Sequence, residues 1–231
     1  MRLAVIPARG GSKRIPRKNI KAFCGRPIIG WSIEAARSSG LFERVIVSTE
    51  DAEIARLAST CGAEVPFERP AALADDFATT SDVMAHAARW ASEQAEAPKM
   101  ICCLYPAAPL IQARDLIAAA SMLESGTWDY VFSAAEHPAP VFRAFRASPD
   151  GGVELFFPEY STTRSQDLPA AYYDAGQFYC GTAEAWLERR PIFGGRSRML
   201  VLPAERVQDI DTPADWSRAE MLFTFLKDAQ G

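Results

Sequence analysis

The run Leu3-Ala4-Val5-Ile6 is short, apolar throughout and stopped by Pro7, the pattern of a strand buried on both faces of a parallel sheet. After a long polar loop, Ile29, Ile33 and Ala36 recur at helical spacing between Pro27 and Gly40, which predicts a helix over about 27–38. Val45-Ile46-Val47 reads as the next strand, and Ile54, Leu57, Ala58 and Cys61 mark one face of a helix closed by Gly62. The alternation continues with a helix near 81–93, the strand Met100-Ile101-Cys102-Cys103-Leu104, a helix over about 115–124 and a strand over 130–133. Between 137 and 167 it breaks into aromatic and proline-rich segments, with Val141-Phe142-Arg143 and Glu154-Leu155-Phe156-Phe157 as candidate short strands. Strand-like patterning returns at 177–180 and 199–202, and Trp216, Ala219 and Leu222 mark a final helix.

Strand and helix in alternation imply right-handed crossovers and an α/β fold of the Rossmann-like kind: a mainly parallel, twisted sheet with helices on both faces. The 231 residues, 48% of them hydrophobic, suffice for one sizeable core, so a single domain over 1–231 is expected, with an inserted excursion at about 137–170. In open parallel sheets ligands bind beyond the carboxyl ends of the strands, which singles out the loops after Ile6, Val47, Leu104 and Val207.

The net charge of −4 gives no electrostatic case for long nucleic acids. Its distribution is more informative. No acidic residue occurs from Met1 to Ile33, whereas Arg2, Arg9, Lys13, Arg14, Arg17, Lys18, Lys21 and Arg26 are all basic, a local anion site. Pro7, Pro16, Pro27 and Gly10-Gly11 set this stretch apart from an amphipathic transit helix. The five cysteines are odd in number and lack CxxC spacing, so they read as packing residues in a reducing compartment. No apolar run approaches the ~20 residues that span a bilayer, and Met1 leads straight into a strand rather than a secretory core, so a soluble cytoplasmic protein without membrane partners is expected.

The loop after the first strand reads Pro7-Ala8-Arg9-Gly10-Gly11-Ser12-Lys13-Arg14-Ile15-Pro16-Arg17-Lys18-Asn19. Adjacent glycines let backbone N–H groups approach an anion, and the cations neutralise charge that would repel a nucleophile, so a triphosphate suits it. Neither the P-loop spacing nor GxGxxG is present, and a solvated basic surface loop is the bland alternative. The segment Ile6 to Lys13, followed by Ile15 to Ile20, resembles the amino-terminal motif of the CMP-sugar-acid synthetases, or acylneuraminate cytidylyltransferases, and the likeness runs through essentially the whole chain. The resemblance implies a nucleotidyltransferase fold and a CTP substrate. It places Ala8, Arg9, Gly10, Gly11, Ser12, Lys13, Lys18 and Asn19 on the nucleotide, with Lys18 facing the reacting phosphate and Arg9 assisting.

The stretch Arg69 to Thr80 is similar to the family's cytosine-recognition segment. An arginine fork suits the O2 and N3 acceptors of cytosine, and Thr80 or Ser81 would add a hydroxyl; alternatively Ser81 only caps the helix that follows. On the acceptor side Leu104-Tyr105-Pro106-Ala107-Ala108-Pro109-Leu110-Ile111 replaces the more polar Leu-Gln-Pro-Thr-Ser-Pro-Leu-Arg of sialic acid enzymes, and Tyr172 to Tyr179 replaces an Arg-Pro-Asn-Gly-type run. Lost hydrogen-bonding groups argue for a less polar sugar. These departures resemble the branch of the family whose acceptor is pseudaminic acid, with Tyr105, Arg164, Tyr173 and Gln177 as acceptor-binding candidates and N-acetylneuraminic or legionaminic acid as alternative acceptors.

Asp209-Ile210-Asp211 matches the family's metal-binding Asp-x-Asp. In an extended segment both carboxylates face one way, and Mg²⁺ commonly takes one or two carboxylates plus waters and phosphate oxygens. Thr212-Pro213-Ala214-Asp215 already supplies the next helix cap, so capping does not account for the pair. The expected reaction is attack by the anomeric hydroxyl of an acidic nine-carbon sugar on the α-phosphorus of CTP, aided by Mg²⁺ on Asp209 and Asp211, with pyrophosphate leaving. A non-catalytic CTP-binding regulatory module is the rival from a different class. His86 and His137, the two histidines, receive no catalytic role. The aromatic excursion around Phe142, Phe145, Phe156 and Phe157 is expected to form a homodimer interface.

Overall fold

The computed structural model describes residues 1–75 and 77–229, so Asp76, within the expected cytosine segment, lies outside the described residues. In chain order the strands are β1 (Arg2–Pro7), a small hairpin of β2 (Ala22–Phe23) and β3 (Arg26–Pro27), β4 (Arg44–Ser48), β5 (Met100–Leu104), β6 (Tyr130–Glu136), a second hairpin of β7 (Phe145–Ala147) and β8 (Val153–Leu155), β9 (Tyr172–Thr182) and β10 (Ser197–Val201). The α-helices are α1 (Ile29–Ser38), α2 (Ala52–Thr60), α3 (Thr80–Ser92), α4 (Ala113–Glu124), α5 (Ala183–Leu187) and α6 (Pro213–Asp228).

Six strands form the main sheet in the order β10-β6-β9-β5-β1-β4. β1 pairs in parallel with both β4 and β5, and β10 in parallel with β6, while β9 runs antiparallel between β5 and β6. Alternation of side chains along the strands splits the core in two. Ala4, Ile6, Cys102 and Leu104 pack with Ile29, Ile33, Ile54 and Leu116, whereas Leu3, Val5, Ile101 and Cys103 pack on the other face with Met84, Ala88 and Trp186. Burial on both faces explains why β1 and β5 are apolar without a break. A third cluster joins Ile15, Phe23 and Ile28 to Ile210, Trp216 and Ala219, and so docks α6 against the first loop.

The chain leaves β1 to one side, through α1 into β4, and returns to the other side at β5, so the strand order reverses between β1 and β5. The carboxyl ends of those two strands flank the crevice where such sheets hold ligands.

Four local expectations differ from the structure. Val141–Arg143 forms a 3-10 turn, and the hairpin of the excursion pairs Phe145–Ala147 with Val153–Leu155 instead. The phenylalanines there are spaced too irregularly to set a register. The cap of α3 is Thr79, in a reciprocal box with Asp82, so Ser81 is already inside the helix. Cys102 and Cys180, expected as packing thiols, are registered partners of antiparallel β5 and β9 and are joined as a disulfide. Finally, the strand expected at 177–180 extends over all of β9.

Candidate active site

Beyond the carboxyl ends of β1 and β5 lies a cavity of about 610 Å³, lined among others by Arg9, Ser12, Lys13, Lys18, Asn19, Arg69, Thr80, Tyr105, Asp209 and Asp211. These positions come from both ends of the chain, and specific contacts hold them together.

Lys18 Nζ donates to the Ile210 carbonyl at 2.7 Å, across 192 residues of sequence, and lies 3.5 Å from Oδ1 of Asp211. Arg14 reaches the same oxygen at 2.7 Å. Arg14 was not singled out from the sequence; its only signal was membership of the basic run. The twin-aspartate segment is fixed on three sides. Ile210 is 1% exposed within the third core cluster, worth ~1.5–3 kcal/mol of apolar burial. Asp215, the reciprocal cap of α6, accepts from the Asp211 and Thr212 amides at 3.3 and 2.8 Å. Upstream, the buried Arg206 is ion-paired with the buried Asp115 of α4 and donates to Gln112 at 3.0 Å. Burial, and then the like charge of Asp211, raise the carboxyl of Asp209 above its ordinary range, against the opposing pull of Lys18 and Arg14.

The first loop is anchored more tightly than a simple anion cradle. The Gly10 amide donates to Glu50 at 2.7 Å and the Ser12 amide to the Gly10 carbonyl at 3.1 Å, so two amides expected to face an anion are turned to the protein. A Cβ on Gly10 would lie 2.6 Å from an Asp51 carboxylate oxygen, so only glycine fits this approach. Arg17, in the left-handed region at φ 55°, pairs with Asp51 and with Glu53 at 2.6 Å. That guanidinium, together with the Glu53 and Ile54 amides capped by Asp51 at the start of α2, holds the Asp51 carboxyl at about 2. Asn19 Nδ2 donates to the Arg9 carbonyl at 2.9 Å, and Arg9 reaches the Asp75 carbonyl at 3.1 Å.

Residues 64–68 run beside β4 through parallel bridges at Glu64 and Glu68, which delivers Arg69 to the cavity. Its side chain is buried, donating to the Ser48 carbonyl at 3.0 Å and pairing with Glu50 at 3.1 Å. Burial works against its charge and Glu50 compensates in part. The Tyr105 amide donates to the Gln177 carbonyl at 2.9 Å, and the Tyr105 carbonyl accepts from Ser32 at 2.8 Å, so this residue is held by both its main-chain groups.

Other candidates lie outside the cavity lining. Ala8 is buried, with its amide on the Ser48 carbonyl, and Gly10, Gly11 and Ser81 do not line it. Tyr173 packs at a tilt against His137, and Gln177 is buried with its Nε2 on the Arg206 carbonyl, although its neighbour Gly176 does line the cavity. Arg164 is exposed on the excursion and paired with Asp167 at 2.7 Å.

No group of three or more histidine, cysteine, aspartate or glutamate side chains able to hold a metal occurs among the described residues. Asp209 and Asp211 offer two hard oxygen donors at the edge of a cation-lined cavity, a donor set that fits Mg²⁺ once substrate oxygens complete the shell.

A cytidylyltransferase family profile matches residues 3–228. The pseudaminic acid cytidylyltransferase of Campylobacter jejuni is 43% identical over 221 residues, covering 96% of this chain and 95% of that protein. N-acylneuraminate cytidylyltransferase A of Danio rerio is 32% identical over 94% of this chain and 49% of that protein. Among solved structures, a CMP:2-keto-3-deoxy-manno-octonic acid synthetase complexed with CTP superposes with a TM-score of 0.72 at 16% identity, covering 97% of this chain and 99% of that one, a likeness of fold. With the profile spanning nearly every residue and the Campylobacter protein matching along almost its full length, the chain belongs to the cytidylyltransferase family.

Proposed function

We propose that this enzyme transfers CMP from CTP to pseudaminic acid with release of pyrophosphate, using Mg²⁺ held by Asp209 and Asp211. The observation that carries the reading is the convergence of Lys18 and the twin aspartates on one cavity from opposite ends of the chain. Arg9, Lys13 and Lys18 face a triphosphate, with Ser12 and Asn19 beside them, and their charge stabilises the departing pyrophosphate. Arg69 and Thr80 meet the base, and Tyr105 is the acceptor-side candidate that lines the cavity. When bound, Mg²⁺ polarises the α-phosphate and favours ionisation of the attacking hydroxyl. The weakly polar Tyr105-Pro106-Ala107 wall and the 43% identity to the Campylobacter enzyme favour pseudaminic acid over N-acetylneuraminic or legionaminic acid.

The excursion forms the homodimer interface in this reading, because Phe145, Val153 and Phe156 are 63%, 71% and 56% exposed on a hairpin too small to cover them. No helix among the described residues is long and apolar enough to cross a membrane, and a reaction that consumes CTP belongs in the cytoplasm. The test is pyrophosphate release from CTP and Mg²⁺ with a panel of sugar acids, wild type against Asp209→Asn. Release that depends on pseudaminic acid and is lost in the variant supports the reading. Equal rates across the panel overturn the acceptor, and CTP binding without turnover returns the chain to a regulatory role.

A further inference from the structure

The end of β4 stands between the first loop and Arg69 and is bonded to both. The Ser48 carbonyl accepts from the Ala8 amide at 3.0 Å and from Nη2 of Arg69 at 3.0 Å, so one oxygen is shared by the two segments. The next carbonyl, of Thr49, accepts from the Arg69 amide at 2.9 Å. Glu50 then makes the same connection with its side chain. Its Oε1 accepts from the Gly10 amide at 2.7 Å, and its Oε2 lies 3.1 Å from Nη2 of Arg69. Glu50 does not itself line the cavity, whereas Arg69 and Arg9, the neighbour of Gly10, both do.

This carboxylate therefore bridges the loop that faces the phosphates and the arginine that faces the base. Arg69 is 4% exposed, so only a small part of it is open to the cavity, and the direction of that part is set by what holds the rest. Charge points the same way. Burial works against the Arg69 cation, Glu50 supports it, and the like charge of Arg9 opposes it. A negative group bonded to both segments offsets the repulsion between the two cations and lets both face one cavity.

We propose that Glu50 is a positioning residue that ties Arg69 to the phosphate-facing loop, so that the nucleobase is read at a fixed spacing from the triphosphate. The proposal rests on the reading of the cavity as a CTP site with Arg69 on the base. A nucleotide carries base and phosphates on one covalent frame. A reader already fixed relative to the phosphate cradle loses less freedom when the nucleotide binds, and it gains nothing for a ligand that lacks the base. Ser48 makes its bridge through a main-chain carbonyl, which no substitution removes. Glu50 adds the charge, and its side chain can be changed.

Calorimetry at one Mg²⁺ concentration measures the affinities of CTP and of inorganic tripolyphosphate for wild type, Glu50→Gln, Arg69→Met and the double variant. Glu50→Gln keeps an oxygen for the Gly10 amide and removes the charge that faces Arg69. A merely structural loss weakens both ligands alike and leaves the CTP-to-tripolyphosphate ratio unmoved. The expected result is a fall in that ratio of about tenfold, or 1.4 kcal/mol, for Glu50→Gln, and no further fall when the same change is added to Arg69→Met. Should Glu50→Gln fail to fold, Glu50→Asp, which keeps the charge but shortens the bridge by one methylene, decides by the same ratio. A fall of less than threefold, or one that persists in full with Arg69 already replaced, overturns the bridge. A wild-type protein that binds CTP no more tightly than tripolyphosphate overturns the reading of the cavity as a nucleotide site, and the bridge with it.

Discussion

The cavity and the excursion at 137–170 use the same residue types in opposite ways. Charged groups at the cavity tie together segments far apart in sequence, Lys18 to Ile210 and Arg69 to Glu50, and the segment that carries the twin aspartates is anchored by Arg206 on Asp115. Those of the excursion pair locally, Arg146 with Glu154 across one hairpin and Arg164 with Asp167 three residues on. The apolar residues behind the cavity, Ile15, Phe23 and Ile210, are buried together, whereas Phe145, Val153 and Phe156 face outward. The cavity is therefore shaped by the whole fold, and the excursion by its own few residues and whatever covers them.

The largest effect should follow from separating chemistry from stability at the cavity. Asp211→Asn removes a carboxylate whose partners, Arg14 and Lys18, are partly exposed, so the fold should lose under about 1 kcal/mol. Turnover should fall by about 10²–10³-fold or more, by analogy with removal of one preorganised electrostatic contact. Steady-state pyrophosphate release set beside a thermal melt checks both halves; a variant that keeps its activity would separate Asp211 from the reaction.

Stability shows the next contrast. Arg206→Met strands the buried Asp115, and loss of one partner of a buried pair costs about 3–5 kcal/mol. Arg164→Met breaks an exposed pair, worth ~0–1 kcal/mol. Urea denaturation of the two variants measures the difference directly, and equal losses would mean that the anchor behind the aspartates is no firmer than a surface contact.

The same contrast decides what the sequence could reveal. β1, β5 and α1 were legible because each writes its burial into a local period or an unbroken apolar run. The basic loop and Asp209-Ile210-Asp211 were legible as motifs, since their residue types and spacing are chemically unusual. Partners were not. Nothing near Gly10 announces that its amide will be taken by Glu50, and nothing near Arg14 announces Asp211. Cys102 and Cys180 became neighbours only through the antiparallel insertion of β9, a pairing that no periodicity encodes. In the excursion even local structure was obscure: Val141–Arg143 suggested a strand by composition and forms a turn.

A smaller effect concerns pH. Asp51 ties the first loop to α2, and its carboxyl is held at about 2 against an ordinary value of 3.8. A depressed carboxyl contributes stability that is fully present above the unfolded value and is lost as pH falls through the folded one. Asp51→Ala should therefore be less stable than wild type by roughly 1–2 kcal/mol at neutral pH. The gap should close between pH 3.8 and about 2, the window set by those two values. Melts of both proteins across that range check the sign, and a gap that widens on acidification would assign the anchoring to another group.

The smallest change in stability should come with the clearest change in assembly. If a second copy covers the outward face of the excursion, Phe156→Glu places a charge against an apolar partner surface, and light scattering at micromolar concentration should report a monomer where wild type is a dimer. Within one chain Phe156 is 56% exposed, so the monomer's own stability should move by no more than about 0.5 kcal/mol. Ile210→Ala sharpens the comparison from the other side: it opens a hole in the third cluster, should cost about 2–5 kcal/mol, and should leave the dimer intact wherever the protein remains folded. A dimer that survives Phe156→Glu but dissociates with Ile210→Ala would place the interface near the cavity, and the two regions would then be parts of one surface.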